Sequence, residues 1–419
     1  MKYSSACLEA KKGGGFRGQL KYKDESGKWR KVTKALAAKG KRAAQAELEA
    51  WRAEMEAEAE RRAGTAPGLT VAEYVGGYID TRANHIEASS LTGYRGLLHN
   101  SIAPYIGDVE LAELTVDDVE KWVAQLCRVK SRTTANKALV LLRSALSRAH
   151  ERGIIPSDPT ATVEKVKERR QRPNSLAARE RGKVAAYVDI DPADPVSIAV
   201  RLALYTGMRR SEVCALRWRS VNTTSRTLKV VESLGAASDK SIKDAEGEDA
   251  TRPYADLYIK EPKTRGSKRT ITYPASVAKA LRARKAVVKA QAMAAGVPFD
   301  ESWFVCGDAD GKPLHPRELW RRWSAIVAAM GLVGTEGNPP TFHDLRHTYA
   351  TTAIANGVDV KTVSNQMGHS NAAMTLNTYA SADPDAAKRA ADVMERALAA
   401  DTAASAPAEV IQLTGTDGK

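Results

Sequence analysis

The stretch Thr341-Phe-His-Asp-Leu-Arg-His-Thr-Tyr349 governs how the rest of the chain is read. Thr341, followed three positions on by Asp344, is a capping-box pattern, so the segment opens a helix. On a helical period Phe342, Leu345 and Tyr349 turn toward a core, while His343 and Arg346, three apart, share the other face. An imidazole and a permanent cation are thereby offered to one ligand. A rival reading starts from the same residues. His343-Asp-x-x-His347 has the spacing of a metalloprotease helix with Asp in place of Glu, and His369 supplies a third ligand for a zinc hydrolase. Against it, an arginine inside the ligand face repels a metal, and the basic segments elsewhere are left without a task.

Two further segments carry chemistry. Downstream, Met367-Gly-His-Ser-Asn371 is followed ten residues after His369 by Tyr379, which on its own reads as a packed aromatic near a helix end. Upstream, Tyr205-Thr-Gly-Met-Arg-Arg-Ser-Glu-Val213 is a glycine turn leading into a second helix. Arg209 is expected beside that helix's N-terminus, where amides and a guanidinium jointly suit a phosphate. Glu212 is either a cap carboxylate at the helix start or a group that orients its neighbours.

The order Arg…Lys…His-x-x-Arg…His…Tyr is far more specific than any of its parts. It resembles the tyrosine recombinases, the phage-integrase family, of the mobile-element or prophage integrase type. The matching stretches are TGMRRSEVCALRW (206–218), PKTRGSKRTITYP (262–274), FHDLRHTYAT (342–351) and MGHSNAAMTLNTYA (367–380). The resemblance implies a site-specific DNA recombinase with six catalytic side chains: Arg209, Lys263, His343, Arg346, His369 and the nucleophile Tyr379. It implies that Tyr379 forms a 3′-phosphotyrosyl link, that His343 is the general base and that Arg209 and Arg346 clamp the phosphate. It further implies that Lys263 protonates the departing 5′-oxygen and His369 hydrogen-bonds the phosphate, with Glu212 and His347 in supporting roles. Neither metal nor ATP is expected. Lys268 and Lys260 are the fallbacks for Lys263, because a long acidic stretch at 235–253 separates the strands and loosens the register. Relaxation of supercoils, as in the related type IB topoisomerases, and a catalytically silent DNA-binding regulator are the alternatives.

Composition agrees with a polyanion partner. The 419 residues hold 64 Lys and Arg against 50 acidic residues, a net charge of +14 and a pI near 9.5. Residues 1–42 alone carry thirteen basic and three acidic side chains, a net +10, which points to nucleic acid before membrane. Hydrophobic residues make up 43% of the chain and charged residues 27%, the balance of a globular protein. Cys7, Cys127, Cys214 and Cys306 are scattered without a CxxC pair, and the N-terminus lacks an apolar run, so a reducing, cytoplasmic setting is expected.

The expected fold is multidomain and mainly α: a small β-sheet-plus-helix N-terminal module, an all-helical core-binding domain and a mixed α+β catalytic domain. Residues 16–36 alternate as a hairpin or small sheet, and a helix from about Arg42 to Arg62 places Leu48, Trp51 and Met55 on one stripe. Residues 1–64 thus form the module that the resemblance assigns to arm-type sites, with Arg17, Lys21, Lys23 and Arg30 as DNA contacts. Residues 65–165 are read as the helical core-site domain, capped at Thr70 and Thr115. Its last helix, Thr133 to Glu151, buries Leu139, Leu142, Ala145, Leu146 and Ala149 and leaves Lys137 and Arg143 for DNA. Residues 164–183 read as a basic interdomain linker in which Arg169 and Arg170 are further contacts. Residues 166–400 are read as catalytic, and 401–419 as a disordered tail. The partners implied are double-stranded DNA bearing attachment sites, three further copies in a homotetramer on paired sites, an excisionase or directionality factor, and a host DNA-bending protein, on the nucleoid of a bacterial host.

Overall fold

The computed structural model describes residues 5–10, 15–23, 28–38, 40–63, 68–168, 172–261, 267–308, 310–369, 375–376, 388, 391–396 and 398–399. The expected acid Lys263, the expected nucleophile Tyr379, the pair Arg169 and Arg170, and the tail 401–419 lie outside them. The chain divides into two compact units, residues 1–169 with 237–249, and residues 170–236 with 250–419.

The first unit opens with β1 (Ser5–Ala10), β2 (Phe16–Lys23) and β3 (Trp29–Leu36), an antiparallel sheet in that order. Helix α1 (Lys41–Ala63) closes a small core of Leu20, Leu36, Ala44, Leu48 and Trp51, with Met55 packed at its edge. Strand pairing sets which basic residues share a face. Lys21 stands opposite Lys31 and Lys23 opposite Trp29, in the register of Arg17 and on the side away from buried Leu20. Arg30 pairs with Tyr22, in the alternate register of Leu20 and Val32. The two-residue period of a strand therefore sets Arg30 apart from the other three expected contacts.

Helices α2 (Val71–Thr81), α3 (Ala88–Leu97), α4 (Ala103–Ile106), α5 (Val116–Val129) and α6 (Arg132–Glu151) follow. Thr70 caps α2 with Glu73 reciprocating, and Thr115 caps α5 with Asp118. Leu139, Leu142, Ala145, Leu146 and Ala149 are all fully buried on α6, as their spacing requires. Lys137 stays exposed. Arg143, expected to meet DNA, instead spends its guanidinium on the carbonyls of Thr160 and Val163. It stitches the chain after α6 back onto that helix.

The two units divide between residues 169 and 170, inside the stretch 164–183 expected to link domains, but both ends of that stretch belong to the units themselves. Asn136, nearly buried on α6, needs partners for its amide. It donates to Val166 O at 2.8 Å and accepts from Val166 N at 2.9 Å, so residues 164–168 lie along the helix. Ala178–Ile190 at the far end of the stretch is helix α7 of the second unit.

That unit continues with α8 (Pro195–Thr206), α9 (Arg210–Ala215), β4 (Val221–Asn222), β5 (Thr227–Val230) and β6 (Ser233–Ala236). After α10 (Asp239–Glu246), which belongs to the first unit, come β7 (Leu257–Lys260) and β8 (Arg269–Thr272). Helices α11 (Ala275–Ala294), α12 (Pro316–Met330), α13 (Phe342–Ala355) and α14 (Val360–Met367) complete it. Strands β4, β5 and β8 make one antiparallel sheet and β6 with β7 another. Their inward residues join Trp218, Leu281 and Trp323 in the core, through which α8 runs buried on nearly every side.

The stretch 235–253, expected to be an irregular acidic loop, carries α10. Within the first unit α10 docks on α3: Arg95 bonds Asp244 and Asp80 at 2.7 Å each and Ser241 Oγ at 3.1 Å. Asp244 of the acidic stretch is thus a partner for a half-buried arginine.

All four cysteines are free, and burial pushes the Cys214 and Cys306 thiols up. Among the described residues no helix is long and apolar enough to cross a membrane.

Candidate active site

The site is assembled in the second unit from three chain turns. Gly207 caps α8 in the left-handed conformation at φ 67°, which reverses the chain and makes Arg209 the N-cap of α9. Glu212 holds that residue twice over. Its Oε2 accepts the Arg209 backbone N–H at 2.9 Å, and its Oε1 accepts Arg209 Nη1 at 2.8 Å. Arg209 Nη2 also reaches Gly368 O at 3.2 Å. Arg209 thus stands at the N-terminus of α9 as expected, and because that helix has only six residues its guanidinium is the main group offered to an anion. Glu212 thus caps α9 and orients Arg209 at the same time. Burial pushes its carboxyl up, but Arg269 and Arg209 outweigh that and hold it below the ordinary value.

Thr341 and Asp344 form the expected capping box of α13, with Asp344 Oδ2 accepting from both Thr341 N and Oγ1 at 2.7 Å. Phe342 and Leu345 are buried and Tyr349 is half-buried. The pair His343 and Arg346 departs from expectation. His343 is exposed, whereas Arg346 is only 2% exposed and donates to Gly207 O and to Met367 O. The arginine thus ties the α8 turn and the end of α14 together beneath the site.

Helix α14 ends at Gly368, φ 67°, which releases the chain into His369. Its Nδ1 lies 2.6 Å from Thr375 Oγ1. Desolvation, then the charges of Arg346, Arg209 and Arg269, push the His369 ring down to about 4. Desolvation, with His347 and Arg346 next, pushes His343 down to about 4. His343 keeps solvent access, so bulk water tempers its shift, and the consequence that matters is a neutral ring at pH 7. Its ring meets that of His347 edge-on at 4.9 Å between centroids. His347, half-buried, is also held below its ordinary value by desolvation.

Arg209, Arg210 and His343 line an open cleft of about 350 Å³, with Trp320 of α12 on its wall. Arg209, Glu212, His343, Arg346, His347 and His369 therefore gather at one place. Of the fallback lysines, Lys268 is exposed and paired to Glu261 at 2.6 Å, and Lys260 lies 5.9 Å over the Tyr258 ring. Among the described residues no group of three or more His, Cys, Asp or Glu assembles as metal ligands, so the His343, His347 and His369 zinc set is not formed there.

Two residues of the site were missed in the sequence. Arg269 on β8 packs a side chain nearly closed to solvent against Glu212, and its signal was the strand alternation that turns Arg269 inward with Ile271. Trp320 is 51% exposed at the cleft; in the sequence it is one more aromatic on an amphipathic helix.

The comparisons with known proteins fall on the same segments. The phage integrase family model matches residues 190–385, and the model for its N-terminal SAM-like domain matches 70–127. An integrase of Streptomyces ambofaciens is 26% identical over 74% of this chain and 76% of its own length. A tyrosine recombinase XerC-like protein of Caldanaerobacter subterraneus subsp. tengcongensis is 29% identical over 42% of this chain, and that match spans 43% of its own length. Among solved structures, the Tn1549 transposon integrase in complex with a circular intermediate DNA superposes with a TM-score of 0.62 at 21% identity, covering 78% of this chain and 99% of that one. A lambda integrase tetramer bound to a Holliday junction gives 0.54 at 19% identity, covering 88% and 94%.

Proposed function

The chain belongs to the phage integrase family of tyrosine recombinases, enzymes that cleave and join DNA strands, and we propose that it integrates and excises a phage or integrative element by site-specific recombination. The observation that carries this reading is geometric: Arg209 and His343 line one open cleft, and Arg209 and Arg346 are bonded to the carbonyls of Gly368 and Met367 in the turn that leads into His369.

Tyr379 supplies the nucleophile. Its phenolic oxygen bonds to the scissile phosphorus as the bond to the 5′-oxygen breaks, leaving a 3′-phosphotyrosyl link. A free phenol titrates near ~10, so at neutral pH it needs an acceptor, and a neutral His343 is one. Arg209 stabilises the charge gathering on the non-bridging oxygens. Arg346 adds its charge from below and fixes the turns that carry Arg209 and His369. His369 hydrogen-bonds the phosphate. Lys263 gives its proton to the departing 5′-oxygen. The covalent link conserves the phosphodiester energy, so a 5′-hydroxyl from a second site reseals it by the reverse route without metal or ATP.

The substrate is double-stranded DNA carrying attachment sites, bound on the nucleoid of a bacterial cytoplasm by a homotetramer across paired sites. A directionality factor and a host bending protein complete the assembly. Residues 1–64 are the arm-site module, supported by their charge and by the basic face of the sheet.

A nicked suicide substrate tests the core of this. The wild type should give a covalent protein–DNA band in the presence of EDTA, and Tyr379→Phe should give none while binding the site normally. A band from the Phe variant would remove Tyr379 from the role. Strand exchange between two differently marked sites separates recombination from supercoil relaxation alone and from silent binding.

A further inference from the structure

Arg269 is absent from the catalytic series, yet no side chain of the site is better held. Its Nη2 donates to Glu212 Oε2 at 2.8 Å and its Nη1 to Glu212 Oε1 at 3.1 Å. Nε donates to Gln366 O at 2.6 Å and Nη1 also to Ser267 O at 3.2 Å. Both side chains are nearly closed to solvent, 7% and 5% exposed. Each oxygen of Glu212 therefore accepts one bond from Arg269 and one from Arg209, whose side chain is 34% exposed and turned to the cleft.

We propose that Arg269 is a positioning residue for DNA cleavage, locking the Glu212 carboxylate plane so that Glu212 can aim Arg209 at the scissile phosphate. A carboxylate with a single partner can rotate about its last bonds. One gripped by a fork from behind cannot, and the geometry is passed to the guanidinium in front. Two carbonyls anchor the fork itself, so it does not drift when Arg209 takes up a phosphate. Lysine at this position keeps the charge but not the two parallel bonds. The turn at Gly368 is shaped to the same group: a Cβ there would lie 2.8 Å from Arg269 Nη1.

This inference rests on the reading of Arg209 as a phosphate clamp, and a double-mutant cycle keeps the two separable. Single-turnover cleavage of the nicked suicide substrate is measured for full-length wild type, Arg209→Ala, Arg269→Gln and the double variant, with DNA affinity and thermal unfolding recorded for each. Arg269→Gln should slow cleavage about 10- to 100-fold, the usual range for residues that orient a functional group, while Kd stays within about twofold. In the Arg209→Ala background the same change should cost no more than about threefold, because its effect passes through Arg209. Equal losses in both backgrounds, or no loss in the wild type, would overturn the proposal. If Arg209→Ala itself cleaves normally, the functional reading fails instead. Should Arg269→Gln not fold, Arg269→Lys carries the same cycle, with a smaller loss expected in the wild type and again no more than about threefold in the Arg209→Ala background.

Discussion

Gly207 and Tyr349 meet so closely that a Cβ on Gly207 would stand 2.6 Å from Tyr349 Cδ1. The glycine is also left-handed at φ 67°, and Arg209 follows it by two residues. Gly207→Ala carries two penalties at once, about 1–2 kcal/mol for the left-handed backbone and about 1–3 kcal/mol for overpacking. Urea unfolding should show the sum as a lower midpoint at unchanged slope. Single-turnover cleavage should fall as well, because any relief of the clash moves the turn that presents Arg209. A loss of only about 1–2 kcal/mol would mean that the ring moves aside freely and the backbone penalty alone remains, and wild-type stability would contradict both penalties.

The two arginines of the series should fail in different ways. Arg209 is partly exposed and leaves Glu212 with Arg269 as partner, so Arg209→Ala should cost under about 1 kcal/mol of stability. Its cleavage rate should fall about 10²–10³-fold, the loss typical of a transition-state donor. Arg346→Ala strands the carbonyls of Gly207 and Met367, at about 1–3 kcal/mol for each group left unsatisfied. Calorimetry beside single-turnover kinetics reads both. Equal stability of the two variants would contradict the buried tie assigned to Arg346.

Histidine protonation should make the free protein acid-sensitive above the range of its carboxylates. The folded pKa of His369 is about 4, against about 6.5 for an unperturbed ring. Between those values the unfolded chain binds a proton that the folded chain refuses, so stability falls as pH drops through that window. Denaturation at pH 7 and pH 5 should show a larger loss for wild type than for His369→Gln. The same loss in both would mean that His369 is protonated in the folded state.

In the N-terminal sheet, register predicts which charges meet DNA. Lys21 and Lys23 share the uncovered face with Lys31, whereas Arg30 is in the register of Leu20 and Val32. Every phosphate that a variant no longer neutralises should flatten the log–log salt dependence of arm-site binding by about 0.9. Lys21→Ala and Lys23→Ala should therefore each lower the slope, and Arg30→Ala should leave it unchanged. A lower slope for Arg30→Ala alone would place DNA on the other side of the sheet.

Much of the protein was legible because its signals are local. A capping box spans three residues, so Thr70, Thr115 and Thr341 announced their helices, and helical spacing alone picked out the buried stripe of α6. The order Arg209, His343, Arg346, His369 was visible in the sequence as well, and folding brings those four to one place, whereas Lys263 and Tyr379 lie outside the described residues.

What the tertiary structure decided are pairings between distant residues. Arg269 finds Glu212 57 positions away, and Arg95 finds Asp244 149 positions away. A charge written in a sequence looks the same whether it is solvated or bound to a buried partner, so only packing shows that the Arg143 guanidinium is bonded to the carbonyls of Thr160 and Val163 and that Arg346 Nη1 ties Gly207 to Met367. Residue identity sets which groups can do chemistry, whereas desolvation, which depends on everything folded around them, sets which are free to.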